Sequence, residues 1–131
     1  MLLSVVRSVR TNNFSDPLMM EKISGLWRDC ASEEADERSG GRSFYAVYHD
    51  YASDYRGDYT LSLCVESNDV GDFDTDLYAY RSFPIPVDSG GVVSVWKQVW
   101  DLEQRGILRR SYSIDFEWYK PDGTATIQIA I

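Results

Sequence analysis

Hydrophobic and polar positions alternate along several stretches of this chain, in the pattern typical of half-buried strands. This pattern predicts strands over residues 2–11, 44–51, 59–66, 78–85, 112–119 and 124–131. Two other stretches repeat apolar residues at helical spacing. The first predicted helix starts at Asp16-Pro17, because aspartate at the N-cap accepts a backbone hydrogen bond and proline is favoured in the first turn. The second covers roughly 92–104 and follows Gly90-Gly91. Residues 32–42 and 67–76 are acidic or glycine-containing and are predicted to be exposed connections.

The second half of the chain resembles the first. Residues 42–51 align without a gap on residues 110–119, and both segments begin with Arg-Ser and end on Tyr. Upstream, Leu26-Trp27 matches Val95-Trp96, and the offset stays between about 66 and 69 residues. We therefore expect one domain built from two β-α-β-β half-domains, about 1–68 and 76–131. The expected fold is α+β, an antiparallel sheet with two main helices and a ligand cleft between the halves.

Composition narrows the classes of function. The chain has 131 residues, enough for one domain with a real core, and 14% of them are aromatic. Its formal net charge of −8 disfavours direct binding to nucleic acid and favours cations or basic protein partners. No stretch has the length and apolarity of a membrane span, so no membrane partner is expected. Cys30 and Cys64 indicate buried thiols in a reducing cytoplasm rather than a disulfide framework.

Strand alternation assigns side chains to the two faces of the predicted sheet. Matching the two hairpins position by position places Tyr45 and His49 on the same face as Glu117. Gln128, two residues after Thr126, is assigned to that face as well. We therefore expect Glu117 to meet Tyr119, Thr126 and Gln128, with His49 as its counterpart in the first half. A carboxylate among aromatic rings is the outline of a cation site, and a solvated strand glutamate is the alternative.

Other candidate chemistry is sparse. His49 is the single histidine of the chain and has no second histidine or cysteine at ligand spacing, so no metal site is expected. The four aspartates between residues 69 and 76 lack the spacing of a calcium loop. No nucleophile elbow or phosphate-binding loop is present, so neither a cofactor nor catalysis is predicted. Trp96 and Trp100, one helical turn apart, serve either the core or a pocket.

Three segments resemble a known family. They are Tyr45-Ala46-Val47-Tyr48 with Asp54-Tyr55-x-Gly-x-Tyr59, then residues 95–100 (Val-Trp-Lys-Gln-Val-Trp), then Tyr112-x-x-Asp115-Phe116-Glu117-x-Tyr119. Together they look like the effector-binding domains of the gyrase-inhibitor-like superfamily. This superfamily includes the drug-sensing domains of AraC- and MerR-type transcription regulators and free-standing members carried on integron cassettes.

The resemblance implies a duplicated strand–helix–strand–strand fold around a pocket for lipophilic, often cationic, compounds. By position, the buried glutamate of that pocket corresponds to Glu117. Many members also carry an acidic residue and a tyrosine in the last strand, where this chain has Thr126 and Gln128. A less charge-selective pocket is therefore expected here. The residues expected to bind the ligand are Glu117 as anionic anchor, Tyr45, Tyr80, Trp96 and Tyr119 as aromatic walls, and His49 and Gln128 as polar contacts.

Three functions stay open from the sequence. The first is a drug-sensing or sequestering module that binds a lipophilic cation without catalysis. The second is a protein–protein inhibitor, in which the acidic stretches 33–37 and 67–76 meet a basic partner. The third is a hydrolase with Glu117 as general acid or base. The chain shows no helix-turn-helix segment, so a DNA-binding or other protein partner, or a homodimer, also stays open.

Overall fold

A computed structural model gives the fold of this chain and describes residues 1–87 and 91–131. Its strands are β1 (Leu2–Thr11), β2 (Phe44–His49), β3 (Tyr59–Ser67), β4 (Phe73–Asp74), β5 (Tyr80–Ile85), β6 (Asp115–Tyr119) and β7 (Ala125–Ala130). Its α-helices are α1 (Met19–Asp29), α2 (Ala31–Ser39) and α3 (Gly91–Gln104). Gly90, predicted to break the chain ahead of the second main helix, lies outside the described residues.

All seven strands join one antiparallel sheet in the order β4-β1-β3-β2-β6-β7-β5. The order β1-β3-β2 on one side of the β2–β6 junction recurs as β5-β7-β6 on the other side. Helices α1 and α3 occupy the same place in the two halves, between the first strand and the second. The predicted α+β fold with an antiparallel sheet is confirmed.

Both main helices rest on the same face of the sheet. Leu26 of α1 packs against Ala46, and Val95 of α3 packs against Ile127. Across β2, β6 and β7, Glu117 pairs with both Ala46 and Ile127, so these three side chains share one face. Each buried aliphatic side chain of this kind contributes roughly 1.5–3 kcal/mol to stability. The core therefore leaves a space between the two helices, above the middle of the sheet.

The opposite face carries its own apolar cluster, which includes Leu3, Val47 and Cys64. Part of the predicted loop 67–76 covers this cluster, because Phe73 packs against it and β4 pairs with β1. Asp72 also accepts a hydrogen bond of 2.8 Å from the backbone N–H of Val5. This segment is therefore an ordered edge of the sheet and not only a solvated loop.

Residues 32–42 differ from the predicted exposed connection, because α2 occupies most of them. The helix has glutamates in its first turn and Arg38 in its last, which suits the helix dipole. Glu34 and Arg38 also form an ion pair of 3.4 Å at the i,i+4 spacing. The acidic composition favoured a loop in the sequence pattern, whereas a solvated helix uses the same residues.

β2 ends earlier and β6 begins later than predicted, and the backbone shows why. β2 ends at His49 because Asp50 has a φ of +51°. β6 begins only at Asp115, and Tyr112, where the strand was expected to start, has a φ of +54°. Left-handed backbone is uncommon for residues other than glycine and does not continue a strand. The segment from Tyr112 therefore enters the sheet from a turn.

Candidate functional site

A cleft of about 360 Å³ lies between α1 and α3, above the centre of the sheet. This volume is within the usual range of small-molecule sites. Asn13, Arg110 and Glu117 supply its polar side chains apart from the tyrosine hydroxyls. Nine aromatic side chains line the cleft: Phe14, Trp27, Tyr48, Tyr51, Tyr55, Tyr59, Trp96, Trp100 and Tyr119.

Glu117 forms part of the floor of the cleft. It is the central residue of β6, and strand alternation turns it to the helix face together with Asp115 and Tyr119. The small side chain of Ala46, opposite Glu117 on β2, leaves the space above the carboxylate to larger neighbours. Glu117 is only 3% exposed. A carboxylate at this depth needs hydrogen-bond partners or a counter-charge.

Three neutral donors hold the Glu117 carboxylate. Oε2 accepts hydrogen bonds from the Tyr48 hydroxyl at 2.6 Å and from Trp96 Nε1 at 2.7 Å. Oε1 accepts one from the Tyr119 hydroxyl at 2.6 Å. Burial raises the pKa of both tyrosines above the ordinary range, so their hydroxyls keep their protons for donation. The donors come from β2, α3 and β6, so the carboxylate joins three elements.

The pKa of Glu117 reflects two opposing effects. Burial raises the pKa above its ordinary value, since the charged form loses its hydration. The hydrogen bonds from Tyr119, Tyr48 and Trp96 lower it, because they favour the carboxylate. Burial prevails, so the net shift is upward. A cation placed in the cleft would restore the missing counter-charge.

The aromatic walls are packed against one another. Trp96 meets Tyr48 edge to face, with 4.8 Å between ring centroids, and Trp27 meets Tyr119 in the same way at 5.3 Å. Trp100 stacks on Tyr55 at 5.5 Å. Such contacts fix the rings without hydrogen bonds to a ligand. The walls therefore offer rigid apolar surface and negative ring faces.

Arg110 also lines the cleft, but its charge is already paired. Its side chain is 1% exposed, and Nη2 lies 2.8 Å from Oδ2 of Asp115, which is fully buried. The Tyr51 hydroxyl donates to the same Oδ2 atom. The guanidinium lies over the Tyr112 ring, 4.3 Å from its centroid, and Nη1 is 3.7 Å from Glu103. Arg110, Asp115, Glu103 and Glu117 together carry a formal charge of −2.

The structure brings three of the seven predicted site residues together in the cleft: Glu117, Trp96 and Tyr119. It places the other four on the opposite face of the sheet. Tyr45 is fully buried there, stacked near Trp118, and donates to Glu66. Tyr80 packs edge to face on Phe116, with ring centroids 5.2 Å apart.

His49 and Gln128 also lie on the opposite face. His49 Nε2 forms a hydrogen bond of 2.7 Å with Ser62 Oγ, and burial lowers the pKa of the imidazole. Gln128 donates to the hydroxyls of Ser82 and Thr126. The expected convergence of Glu117 with Gln128 and Thr126, and its pairing with His49, is wrong, because the register places these residues on the other face.

The physical reason is a shift of one residue between the halves. The gap-free alignment of β2 with β6 has an offset of 68 residues. In the sheet Ala46 pairs with Glu117, so even-numbered residues of β2 share a face with odd-numbered residues of β6. An even offset therefore matches residues that lie on opposite faces. The match of Leu26-Trp27 with Val95-Trp96 has an offset of 69, which would align Tyr48 with Glu117. Trp27, Trp96, Tyr48 and Glu117 all line the cleft. This odd offset was the sequence signal for the correct face.

Other residues line the cleft that the sequence did not assign to it, among them Tyr51, Tyr59, Trp100 and Arg110. Tyr51 follows the end of β2, so strand alternation gave no guide to its direction. Within residues 1–87 and 91–131, no group of three or more histidine, cysteine or acidic side chains is placed to hold a metal ion. None of the helices described is long and apolar enough to cross a membrane.

Comparison with known proteins adds a likeness of fold. No family model matches the chain, and no curated protein matches it. Among solved structures, an integron cassette protein from Vibrio cholerae has a TM-score of 0.67 and 24% identity, covering 98% of this chain and 93% of its own. SAV2435 bound to tetraphenylphosphonium has a TM-score of 0.63 and 16% identity, covering 98% and 87% respectively. Over almost its whole length, the chain therefore shares the fold of these two proteins.

Proposed function

We propose that this protein binds lipophilic cations in the cleft between α1 and α3, with the Glu117 carboxylate as the anchor. The observation that carries the proposal is a carboxylate that is only 3% exposed and lines an open aromatic cleft. Within residues 1–87 and 91–131 its hydrogen-bond donors are neutral, and no cationic side chain bonds to it. A ligand cation would compensate the buried charge. The binding would serve drug sensing or sequestration, as in the effector-binding family that the sequence resembles.

The charge around the cleft favours cations over anions. Arg110 is the cationic side chain that lines the cleft, yet it forms an ion pair with Asp115 and lies near Glu103. The formal charges of Arg110 and of the three carboxylates at Glu103, Asp115 and Glu117 sum to −2, and the whole chain has a net charge of −8. Because the cleft is partly closed to water, this field acts at reduced dielectric and is stronger than at the surface.

The aromatic walls favour an apolar cation over a metal ion or a simple ammonium ion. A cation over the face of a tryptophan or tyrosine ring gains roughly 0.5–2 kcal/mol. Trp27, Trp96 and Trp100 present three such rings, and burial of the ligand's own apolar surface adds to this gain. Tetraphenylphosphonium, the compound to which SAV2435 is bound, has this chemistry and provides a suitable first probe.

The proposal is binding without turnover. Both oxygens of Glu117 accept hydrogen bonds, which holds the carboxylate in place as a fixed charge. A compound recovered intact by mass spectrometry after long incubation is the expected result. Hydrolysis of a bound ester that depends on Glu117 would instead favour the hydrolase alternative.

The test compares two ions of the same shape and opposite charge. Tetraphenylphosphonium and tetraphenylborate are titrated into the wild type, Glu117→Gln and Glu66→Gln by isothermal titration calorimetry. Glu66 is the matched control, since it also accepts from a tyrosine hydroxyl but lies on the other face of the sheet. Thermal unfolding of each variant shows that the fold is retained.

We expect tetraphenylphosphonium to bind the wild type and Glu66→Gln alike, and to bind Glu117→Gln at least about tenfold more weakly, a loss of about 1.4 kcal/mol. Tetraphenylborate should bind the wild type weakly, and Glu117→Gln should not weaken its binding further, because the substitution removes a charge that repels the anion. Equal binding of the two ions, or an affinity for the cation that Glu117→Gln leaves unchanged, would overturn the proposal.

A further inference from the structure

Three exposed apolar side chains stand at the mouth of the cleft. Phe14 is 59% exposed, Met20 69% and Val93 59%, and all three line the cleft whose floor is formed by buried Glu117. We call these three residues the apolar rim. Exposed hydrophobic groups that continue a binding cleft mark surface that another molecule can cover.

The exposure of Phe14 is built into the fold. Asn12 Oδ1 accepts hydrogen bonds from the backbone N–H groups of Phe14 at 2.8 Å and Ser15 at 3.0 Å. The Phe14 ring rests on Trp100 at 5.6 Å and on Tyr55 at 6.0 Å between centroids. Asn12 itself is 6% exposed. The ring therefore packs on two aromatic side chains although Phe14 is 59% exposed, unlike the side chain of a loose loop.

The other two rim residues come from the two helices that flank the cleft. Met20 lies in the first turn of α1, and Val93 lies near the start of α3. A methionine side chain is flexible and polarisable, so it adapts to ligands of different shape. The rim therefore surrounds the exit of the cleft on both sides.

The size of the rim limits what can occupy it. A stable interface between two proteins uses about 20–30 residues a side, whereas the rim has three. An alkyl chain that leaves the cleft is narrow enough to be covered by three side chains, and it is apolar as they are. A cleft of about 360 Å³ can hold the bulky head of a lipophilic cation, so a longer tail has to pass the rim.

We infer that the rim binds the tail of a single-chain cationic amphiphile whose head lies at Glu117. This inference rests on the proposed function and narrows its ligand class to compounds with one quaternary ammonium or phosphonium head and one alkyl tail. Full burial of a CH₂ group raises affinity about fourfold, and burial of one side against the rim raises it about twofold. Tail length should therefore control affinity independently of the charge of the head.

The experiment uses methyltriphenylphosphonium and octyltriphenylphosphonium, which share a head and differ by seven CH₂ groups. Both are titrated into the wild type, the double variant Phe14→Ala/Met20→Ser, and Val70→Ser. Val70 is the control, since it is 74% exposed and does not line the cleft. Sedimentation velocity at the same concentrations records the oligomeric state.

In the wild type and in Val70→Ser, the octyl compound should bind at least about 30-fold more tightly than the methyl compound. In the rim variant this ratio should fall about tenfold. Because Phe14 and Met20 also line the cleft, the ratio of the two affinities is the readout, and not the affinity for either compound alone. Equal loss for both compounds, or no change in the ratio, would overturn the inference and leave the proposed function standing.

If neither compound binds the wild type, the proposed function and this inference are overturned together. A dimer of the wild type that the rim variant dissociates would also overturn the inference. The rim would then be an interface between two copies of the chain.

Discussion

Trp96 Nε1 lies 2.7 Å from Oε2 of Glu117, so an indole of α3 is joined to a carboxylate of β6 across the floor of the cleft. The tryptophan both forms a wall of the cleft and stabilises the charge beneath it. Its hydrogen bond favours the ionised form of Glu117, in opposition to burial. The helix position and the ionisation of the site are therefore linked.

Trp96→Phe should raise the pKa of Glu117, because the ring stays but the donor is lost. A hydrogen bond to a charged group is worth about 1.5–3 kcal/mol, so its loss should move the pKa of Glu117 further upward. The midpoint of the pH dependence of tetraphenylphosphonium affinity measures it. Trp100→Phe is the control, since Trp100 stacks on Tyr55 without bonding to Glu117. If Trp96→Phe leaves the midpoint of this pH dependence unchanged, the hydrogen bond from Trp96 does not lower the pKa of Glu117.

Affinity for tetraphenylphosphonium should rise with pH as Glu117 loses its proton. The ligand has no titratable group, and the pKa of Glu117 is raised above 4.5, so the rise should occur at a higher pH than for an exposed glutamate. Calorimetry in buffers of different ionisation enthalpy should detect release of a proton on binding. A flat profile in the wild type, or a rise with pH that persists in Glu117→Gln, would rule out this linkage.

The same pKa shift has a consequence for stability. The unfolded chain loses the Glu117 proton near pH 4.5, whereas the folded chain keeps it to a higher pH. Between these two pKa values the folded state binds more protons, so its free energy of unfolding falls as the pH rises. The wild type should therefore lose stability relative to Glu117→Gln over this window. Urea unfolding of both proteins at several pH values provides the measurement.

Arg110→Met should destabilise the protein by about 3–5 kcal/mol, because it leaves Asp115 buried and unpaired. Urea unfolding should show this as a lower midpoint with a similar slope. Arg105→Met serves as the control and should change stability by less than about 0.5 kcal/mol, since Arg105 pairs with Asp101 at the exposed surface. Equal effects of the two substitutions would mean that the Arg110–Asp115 pair contributes little.

Ligand binding should change the intrinsic tryptophan fluorescence of the protein through three of its four tryptophans. Trp27, Trp96 and Trp100 line the cleft, whereas Trp118 lies on the opposite face, where it donates to Ser43. A titration of Trp118→Phe with tetraphenylphosphonium should keep the signal change seen in the wild type. Loss of that change in Trp118→Phe would place the ligand on the other face.

Asp16→Asn should lower the melting temperature at pH 7 but not at pH 2. Asp16 accepts from Lys22, Leu18 and Thr11, and these bonds hold its pKa at about 2, below the ordinary 3.8. The stabilisation is therefore complete above pH 3.8 and is lost as the pH falls towards 2. Differential scanning calorimetry of both proteins across this pH range provides the measurement. A difference in melting temperature that is the same at pH 7 and at pH 2 would contradict the prediction.

The sequence predicted the architecture well, because strand alternation and helical spacing are strong local signals. β1 was predicted with its observed bounds, and α3 was predicted within one residue at its start. The helix α2 was missed because its residues are polar on nearly all sides. Its stability comes from ion pairs and helix propensity, which hydrophobic pattern does not detect.

The site was predicted less completely, because it depends on register. The structure places Glu117, Trp96 and Tyr119 in the cleft, whereas Tyr45 and Tyr80 pack on the far side of the sheet. A shift of one residue between two strands exchanges all their side chains between faces. The pairing of β2 with β6, a contact between distant segments, fixes that register, and the offset of 69 residues between Trp27 and Trp96 was its signal in the sequence.

The position of Tyr48 and Glu117 on the two strands that join the halves has a consequence for folding. Tyr48 belongs to the first half-domain and Glu117 to the second, and their hydrogen bond crosses the β2–β6 junction. Neither half contains the whole site, so a ligand in the cleft would contact both halves and would bind only when they are paired. Binding would therefore also stabilise the pairing of β2 with β6, because the ligand binds only where these two strands are joined.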